Sequence, residues 1–279
     1  MNPLTRSAPA EAPPVQDTDT HLTVSRLACA AGKRVVLRDV DFAVQRGELL
    51  ALVGANGSGK STLLRALGGV RKPVAGEVLL DDLPLGQLSA RRRARAITLV
   101  GQEEALPADL VVGEMVALGR TPHRPPWAGG DATERAAVLA ALDQVGLGYA
   151  VDHPVEQLSG GERRRALLAR GLAQQTPLML LDEPTNHLDL RHQLGLLRTV
   201  RGLGKTVVVA MHDLDLAATF CDRIAVLHDG TLLTIGTPAD ALTPTVIHDA
   251  FGVLATPVTH PLTGRTHLLF SPDETEPHP

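Results

Sequence analysis

The chain has 279 residues and a formal net charge of −4; apolar residues make up 44%, yet no apolar run approaches the roughly 20 residues a membrane-spanning helix needs. The charge argues against a dedicated nucleic-acid binder, and an aromatic content of 2% argues against base-stacking platforms for single strands. Cys29 and Cys221 make no disulfide framework and favour a reducing cytosol, and the N-terminus shows no signal-peptide pattern of charged start and apolar stretch.

Residues 1–19, rich in Pro, Ala, Asp and Thr without periodicity, are expected to form a disordered tail. Short strands are predicted at 21–27, 35–37 and 40–44. The run Glu48-Leu49-Leu50-Ala51-Leu52-Val53 reads as a buried parallel strand. Gly54-Ala55-Asn56-Gly57-Ser58-Gly59-Lys60-Ser61 comes next and fits G-x-x-x-x-G-K-[ST]; a helix then opens through Thr62 and stops at Gly68-Gly69. Strand, loop and helix in this order make a phosphate cradle. The glycines let backbone N–H groups turn inward, the helix start adds partial positive charge, Lys60 reaches terminal phosphates and the Ser61 hydroxyl suits Mg²⁺.

Beyond a strand at 78–80 and a turn at Asp81-Asp82, the run Arg91-Arg92-Arg93-Ala94-Arg95 reads as a solvated helix face leading into a strand at 97–100 and Gln102. Strand signals fade from about 106 to 157, where residues 131–145 carry helical apolar spacing and end at Gly146. Leu158-Ser159-Gly160-Gly161-Glu162 is a second anion-binding pattern: Ser159 and Glu162 form a capping box, and two glycines leave the helix N–H groups bare. Buried strands at 178–181 and 206–211 then deliver Asp182-Glu183 and His212 to their carboxyl ends, where open α/β sheets bind ligands. There Asp182 is placed to hold Mg²⁺ through water, Glu183 to polarise an attacking water and His212 to contact the γ-phosphate. Strands at 223–227 and 231–235 flank Asp229-Gly230, a hairpin signal. The architecture expected is α/β: a parallel core of the P-loop NTPase (RecA-like) kind, an antiparallel annex and a helical insertion.

Taken together, these residues resemble the ATP-binding cassette (ABC) family of ATPases. The order of the loop at 54–61, Gln102, 158–162, Asp182-Glu183, Asn186-His187-Leu188-Asp189 and His212 matches over nearly all of 21–235. The resemblance implies an ATPase domain at 20–235 with a helical subdomain at about 106–157 and a C-terminal extension at 236–272; the polar, Pro-bearing end at 273–279 is expected to be disordered on composition. It implies ATP and Mg²⁺ as cofactors, and two nucleotides sandwiched in a head-to-tail pair of copies. Carried over residue by residue, Gly54, Asn56, Gly57, Ser58, Gly59, Lys60 and Thr62 hold phosphates, and Ser61, Gln102 and Asp182 serve Mg²⁺. Ser159, Gly160 and Gly161 grip the partner's γ-phosphate, Glu183 is the general base, His212 senses the γ-phosphate and Asp189 bridges the pair.

Two positions depart from the family pattern. The aromatic residue usual 29 positions before the lysine is Ala31 here, so adenine stacking is either weakened or supplied by another group such as Arg34 or Val36. Arg164 stands where glutamine is common. His187 and His192 have no ligand-spaced companions, Phe220 and Phe251 read as core, and Trp127 sits in a Pro/Gly-rich loop suited to a partner contact. One phosphate loop, one copy of the family's signature (Leu158 to Glu162) and no sustained heptads between them point to a transporter subunit that docks peripherally on a separate membrane permease, at the cytoplasmic face, through residues from about 102 to 157. Gly119-Arg120-Thr121-Pro122-His123 and the tail motifs Thr237-Pro238, Leu242-Thr243-Pro244, Phe251-Gly252-Val253 and His260-Pro261-Leu262-Thr263-Gly264-Arg265 resemble those of ferric-siderophore, haem and cobalamin importers. Such an importer also has a substrate-binding protein; nucleic acid is not among the expected partners. An ABC transporter ATPase for another substrate, a soluble cassette acting on DNA or ribosomes, and a small-molecule phosphotransferase remain as rival readings.

Overall fold

The computed structural model describes residues 19–101, 109–124, 132–186, 188–259, 261 and 266–272. The chain opens as an antiparallel hairpin of β1 (Thr20–Ala31) and β2 (Arg34–Gln45). Period-two alternation, reset where the register shifts, turns Leu22, Val24, Leu27, Leu37, Val40 and Val44 inward. The two strands expected at 35–37 and 40–44 are one. Asp39, with φ of 48°, lies where the register shifts between the Leu27–Val40 and Cys29–Leu37 pairs, so a bulge bends the ladder without ending it.

β3 (Leu49–Val53) is buried throughout and leads through the phosphate loop into α1 (Lys60–Leu67). β4 (Ala75–Leu80) pairs with β1, and β5 (Leu83–Pro84) closes an antiparallel sheet ordered β2-β1-β4-β5. α2 (Ala90–Ala96) leads into β6 (Ile97–Val100), and the helices α3 (Val112–Ala117), α4 (Ala132–Gln144) and α5 (Gly160–Ala173) come after it. The second half alternates: β7 (Leu178–Asp182), α6 (Leu190–Gly202), β8 (Thr206–Ala210), α7 (Leu214–Phe220), β9 (Arg223–His228) and β10 (Thr231–Gly236). The main sheet runs β10-β9-β3-β8-β7-β6; it is parallel except for β10, which joins β9 as the expected hairpin.

Because β3 is covered on both faces, its alternation feeds two cores. Leu50 and Leu52 meet Leu22, Leu63, Leu64 and Leu67 between the sheets. Leu49, Ala51 and Val53 join the opposite core, built with α3 to α7. The chain ends with α8 (Pro238–Ala241), α9 (Pro244–Phe251) and a hairpin of β11 (Val253–Thr259) and β12 (Thr266–Pro272) that sets Ala255 and Leu268 against that second core. Phe220 and Phe251 pack partly buried against it, as core residues. Among the described residues no helix is long and apolar enough to cross a membrane.

α5 starts where its capping box says. The Ser159 hydroxyl accepts from the Glu162 N–H at 3.3 Å, and the Glu162 carboxylate accepts from the Ser159 N–H at 2.9 Å and its hydroxyl at 2.6 Å. Tyr149 donates its phenol to the other carboxylate oxygen. These bonds to the ionised form, led by the Ser159 hydroxyl, hold the Glu162 carboxyl at about 2.

Leu52→Ala opens a cavity between the sheets and should lower unfolding free energy by about 2–5 kcal/mol, read as a lower urea midpoint. Glu162 should titrate near 2 by NMR, with its contribution to the α5 start intact above 4.5 and lost as pH falls through about 2. Ser159→Ala should move that midpoint upward.

Candidate active site

Adjacent parallel strands β3, β8 and β7 end at one edge of the main sheet, and the segments leaving those three ends make the site. After β3 comes the phosphate loop. Its shape requires glycine at two points. Gly54 has φ of 151°, and a Cβ there would sit 2.3 Å from the Leu227 carbonyl oxygen; at Gly59, with φ of 107°, it would sit 2.5 Å from Leu37 Cδ2. The loop therefore lies tight against β2 and β9, with Ala55, Asn56 and Gly57 exposed on its outer side. The Lys60 side chain is 5% exposed and donates to the carbonyls of Gly54 at 2.7 Å and Ala55 at 3.3 Å. Burial lowers its pKa, and the Glu183 and Asp182 carboxylates work against that fall.

At the end of β7, Asp182 is buried and accepts from the Ser61 hydroxyl at 3.0 Å. Burial raises its pKa, the Ser61 bond opposes the rise, and the neighbouring Glu183 adds to it. Glu183 is 7% exposed in a left-handed backbone conformation, φ 51°, with its N–H on the Ala210 carbonyl at 3.2 Å. A non-glycine residue there is strained, and the ends of β7 and β8 over-determine it. His212, after β8, bonds through Nε2 to Glu183 Oε1, and Asn186 Nδ2 donates to Glu183 Oε2. Both carboxylate oxygens are thereby fixed.

Polyphosphate and a divalent cation fit these residues. Ser58 Oγ is buried without a hydrogen-bond partner among the described residues, inside a loop where added Cβ atoms at Gly54 and Gly59 would clash. Lys60, Ser58 and the N–H groups opening α1 can hold phosphate oxygens; Thr62 is half-buried on that first turn. Ser61 and Asp182 supply a hydroxyl and a carboxylate, hard oxygen donors of the kind Mg²⁺ takes. Gln102 and His187 lie outside the described residues, as does Trp127.

The second anion pattern is presented elsewhere. Ser159 and Gly160 are exposed at the N-terminus of α5, and a Cβ on Gly160 would meet nothing within 4 Å. Arg164, two residues beyond Glu162, reaches the Glu183 carbonyl at 3.5 Å, so this departure links α5 to the strained residue. Asp189 is exposed and caps α6, accepting from the His192 N–H at 2.9 Å and pairing with its ring; the N–H bond leads in lowering its pKa.

The contacts of Asn186, Arg120 and His123 were not legible as site features. Asn186 fixes Glu183, and its spacing of three residues was the available signal. Arg120 donates from Nη1 to the Ala173 carbonyl at 2.8 Å and Gln175 Oε1 at 2.7 Å, and His123 Nε2 donates to the Gln174 carbonyl at 2.8 Å. The 119–123 motif thus sits on the C-terminal end of α5, where the helix carbonyls favour positive donors. Nor are Arg91 and Arg95 simply solvated: both donate to the one Pro122 carbonyl, at 3.0 and 2.9 Å, and Arg91 also reaches that of Arg124, at 2.7 Å.

Residues 37–186 match the ABC transporter family. The hemin import ATP-binding protein HmuV of Bordetella pertussis is 41% identical over 261 residues, covering 89% of this chain and 98% of its own length. The iron(3+)-hydroxamate import ATP-binding protein FhuC of Bacillus subtilis is 34% identical, covering 88% and 92%. The cobalamin import ATP-binding protein BtuD of Halobacterium salinarum is 42% identical over 88% of this chain, which spans 62% of that relative's length. Among solved structures, an inward-facing one described as a metal-chelate type ABC transporter superposes with a TM-score of 0.80 at 26% identity, covering 92% of this chain and 99% of that one. A dimeric bacterial ABC transporter cassette does so at 0.70 and 30% identity, covering 78% and 98%. With the phosphate loop, the Asp182-Glu183 pair and the exposed start of α5 in one fold, the chain belongs to the ABC transporter family.

Proposed function

We propose that this chain is the ATP-hydrolysing subunit of an importer for a metal chelate of the iron-siderophore, haem or cobalamin class, docked on a separate membrane permease. The observation that carries the chemistry is Glu183 held between His212 and Asn186 beside Ser61 and the buried Lys60 and Asp182. Lys60 and the loop N–H groups hold and neutralise the β- and γ-phosphate oxygens. Mg²⁺ bound by Ser61 and Asp182, with Gln102, would neutralise charge developing on the phosphate oxygens. Glu183 takes a proton from water as its oxygen bonds to the γ-phosphorus and the bond to the ADP oxygen breaks. His212 holds the carboxylate in line and meets the γ-phosphate. The products are ADP and inorganic phosphate.

Ser159, Gly160 and Gly161, at the open start of α5, complete the site on a second copy, giving a head-to-tail pair around two nucleotides, with Asp189 bridging the copies. The dimeric cassette resembling this chain supports that arrangement. The 119–123 motif and the three importer relatives support the substrate class. A permease-bound pair implies a peripheral place at the membrane and, indirectly, a substrate-binding protein.

Glu183→Gln should lower ATP hydrolysis by about 10²–10⁴-fold, the scale of a lost general base, while keeping Mg-ATP binding. It should also run as a dimer on size exclusion with Mg-ATP; a monomer there would sink the paired arrangement. Affinity isolation of the full chain from solubilised membranes should bring down a multi-span permease. Recovery of ribosomes or DNA instead, with hydrolysis stimulated by them, would replace the transport reading.

A further inference from the structure

Arg164 stands on α5 five residues beyond Ser159, about 7.5 Å along the helix axis. The helix cannot turn freely there, because Ala166, Leu167, Leu168 and Ala169 are buried in the core. Its neighbour Arg163 serves the head of the helix, donating to the carbonyls of Leu158 at 3.0 Å and Glu156 at 2.9 Å. Arg164 is half-buried and serves the site: its Nη2 donates to the Glu183 backbone carbonyl at 3.5 Å. The Asn186 N–H reaches the same carbonyl at 3.3 Å.

That carbonyl bears on the carboxylate because of the strain at Glu183. The Glu183 N–H is fixed on the Ala210 carbonyl, so relaxing φ from 51° would rotate everything beyond that nitrogen, carbonyl and side chain together. A guanidinium on the carbonyl resists this rotation through a charge-assisted bond, as His212 and Asn186 do at the carboxylate oxygens. Of these three groups, Arg164 alone is carried by the helix that presents Ser159 and Gly160.

We propose that Arg164 is a positioning residue for the general base of its own chain: acting through the Glu183 carbonyl, it holds the carboxylate toward the attacking water and ties that orientation to the seating of the α5 head on the second copy's nucleotide. One helix then serves two sites, with Ser159 acting in the neighbour's and Arg164 in its own. The inference rests on the head-to-tail ATPase reading above and deepens it.

The test uses the full chain and steady-state Mg-ATP hydrolysis. Arg164→Met keeps an apolar stem and removes every donor. It should lower kcat by about 10- to 100-fold, with KM within about twofold and the urea midpoint unchanged. The contact is a single bond rather than a fork, so Arg164→Lys should restore kcat to within about threefold of the unaltered protein. Two mixtures then separate the roles. Lys60→Ala damages a chain's own site and Ser159→Ala the neighbour's, so their mixed pair keeps one intact site and should hydrolyse faster than either variant alone. Arg164→Met mixed with Ser159→Ala should show the same gain. The proposal is overturned by a kcat for Arg164→Met within about twofold of the unaltered value, by a loss confined to KM, or by a loss of kcat matched by a lowered urea midpoint. Arg164→Lys no faster than Arg164→Met, or a gain in the first mixture without one in the second, would overturn it equally. If the first mixture shows no gain, the head-to-tail reading falls, and the inference with it.

Discussion

Burial of three adjacent parallel strands on both faces is the constraint on which the site depends. β3, β8 and β7 are buried along their whole length, so their ends cannot slide relative to one another without opening a core. Gly54, Asp182, Glu183 and His212 lie at or just beyond those ends. The strain at Glu183 is tolerable for the same reason: its N–H is tied to the Ala210 carbonyl at the end of β8, and relaxing φ would break that tie. Rigid apolar packing thus fixes a small set of polar groups that would otherwise spread apart.

Those polar groups also balance one another. Burial opposes the charge on Lys60 and on Asp182, whereas each carboxylate favours the lysine's charge. A buried cation and buried carboxylates of this sort are costly alone and tolerable together. Phosphate oxygens beside Lys60 and a divalent cation beside Asp182 would favour the ionised form of each. The site is electrostatically suited to an anion and a cation arriving as a complex.

Much of this was legible in the sequence because the informative residues are local. The phosphate loop, the Asp182-Glu183 pair and the capping box each sit within a few consecutive residues, and the buried strands are unbroken apolar runs. The bulge at Asp39 was not legible, since a polar residue between two apolar stretches looks the same as a turn. The C-terminal hairpin escaped because Pro257 and exposed Leu254 and Leu269 blur its alternation. The carbonyl contacts of Arg91, Arg95 and Arg120 depend on backbone distant in sequence, and a row of arginines carries no mark of what it will hold.

One of those long-range contacts has a mechanical meaning. α5 is 14 residues long, about 21 Å, with Ser159 at one tip and the guanidinium of Arg120 and the ring of His123 fastened to the carbonyls at the other. An α-helix is stiff along its axis, so the helix acts as a pushrod between the 3-10 turn Leu118–His123 and the glycines at its head. A thrust on that turn is delivered at Gly160 with little damping.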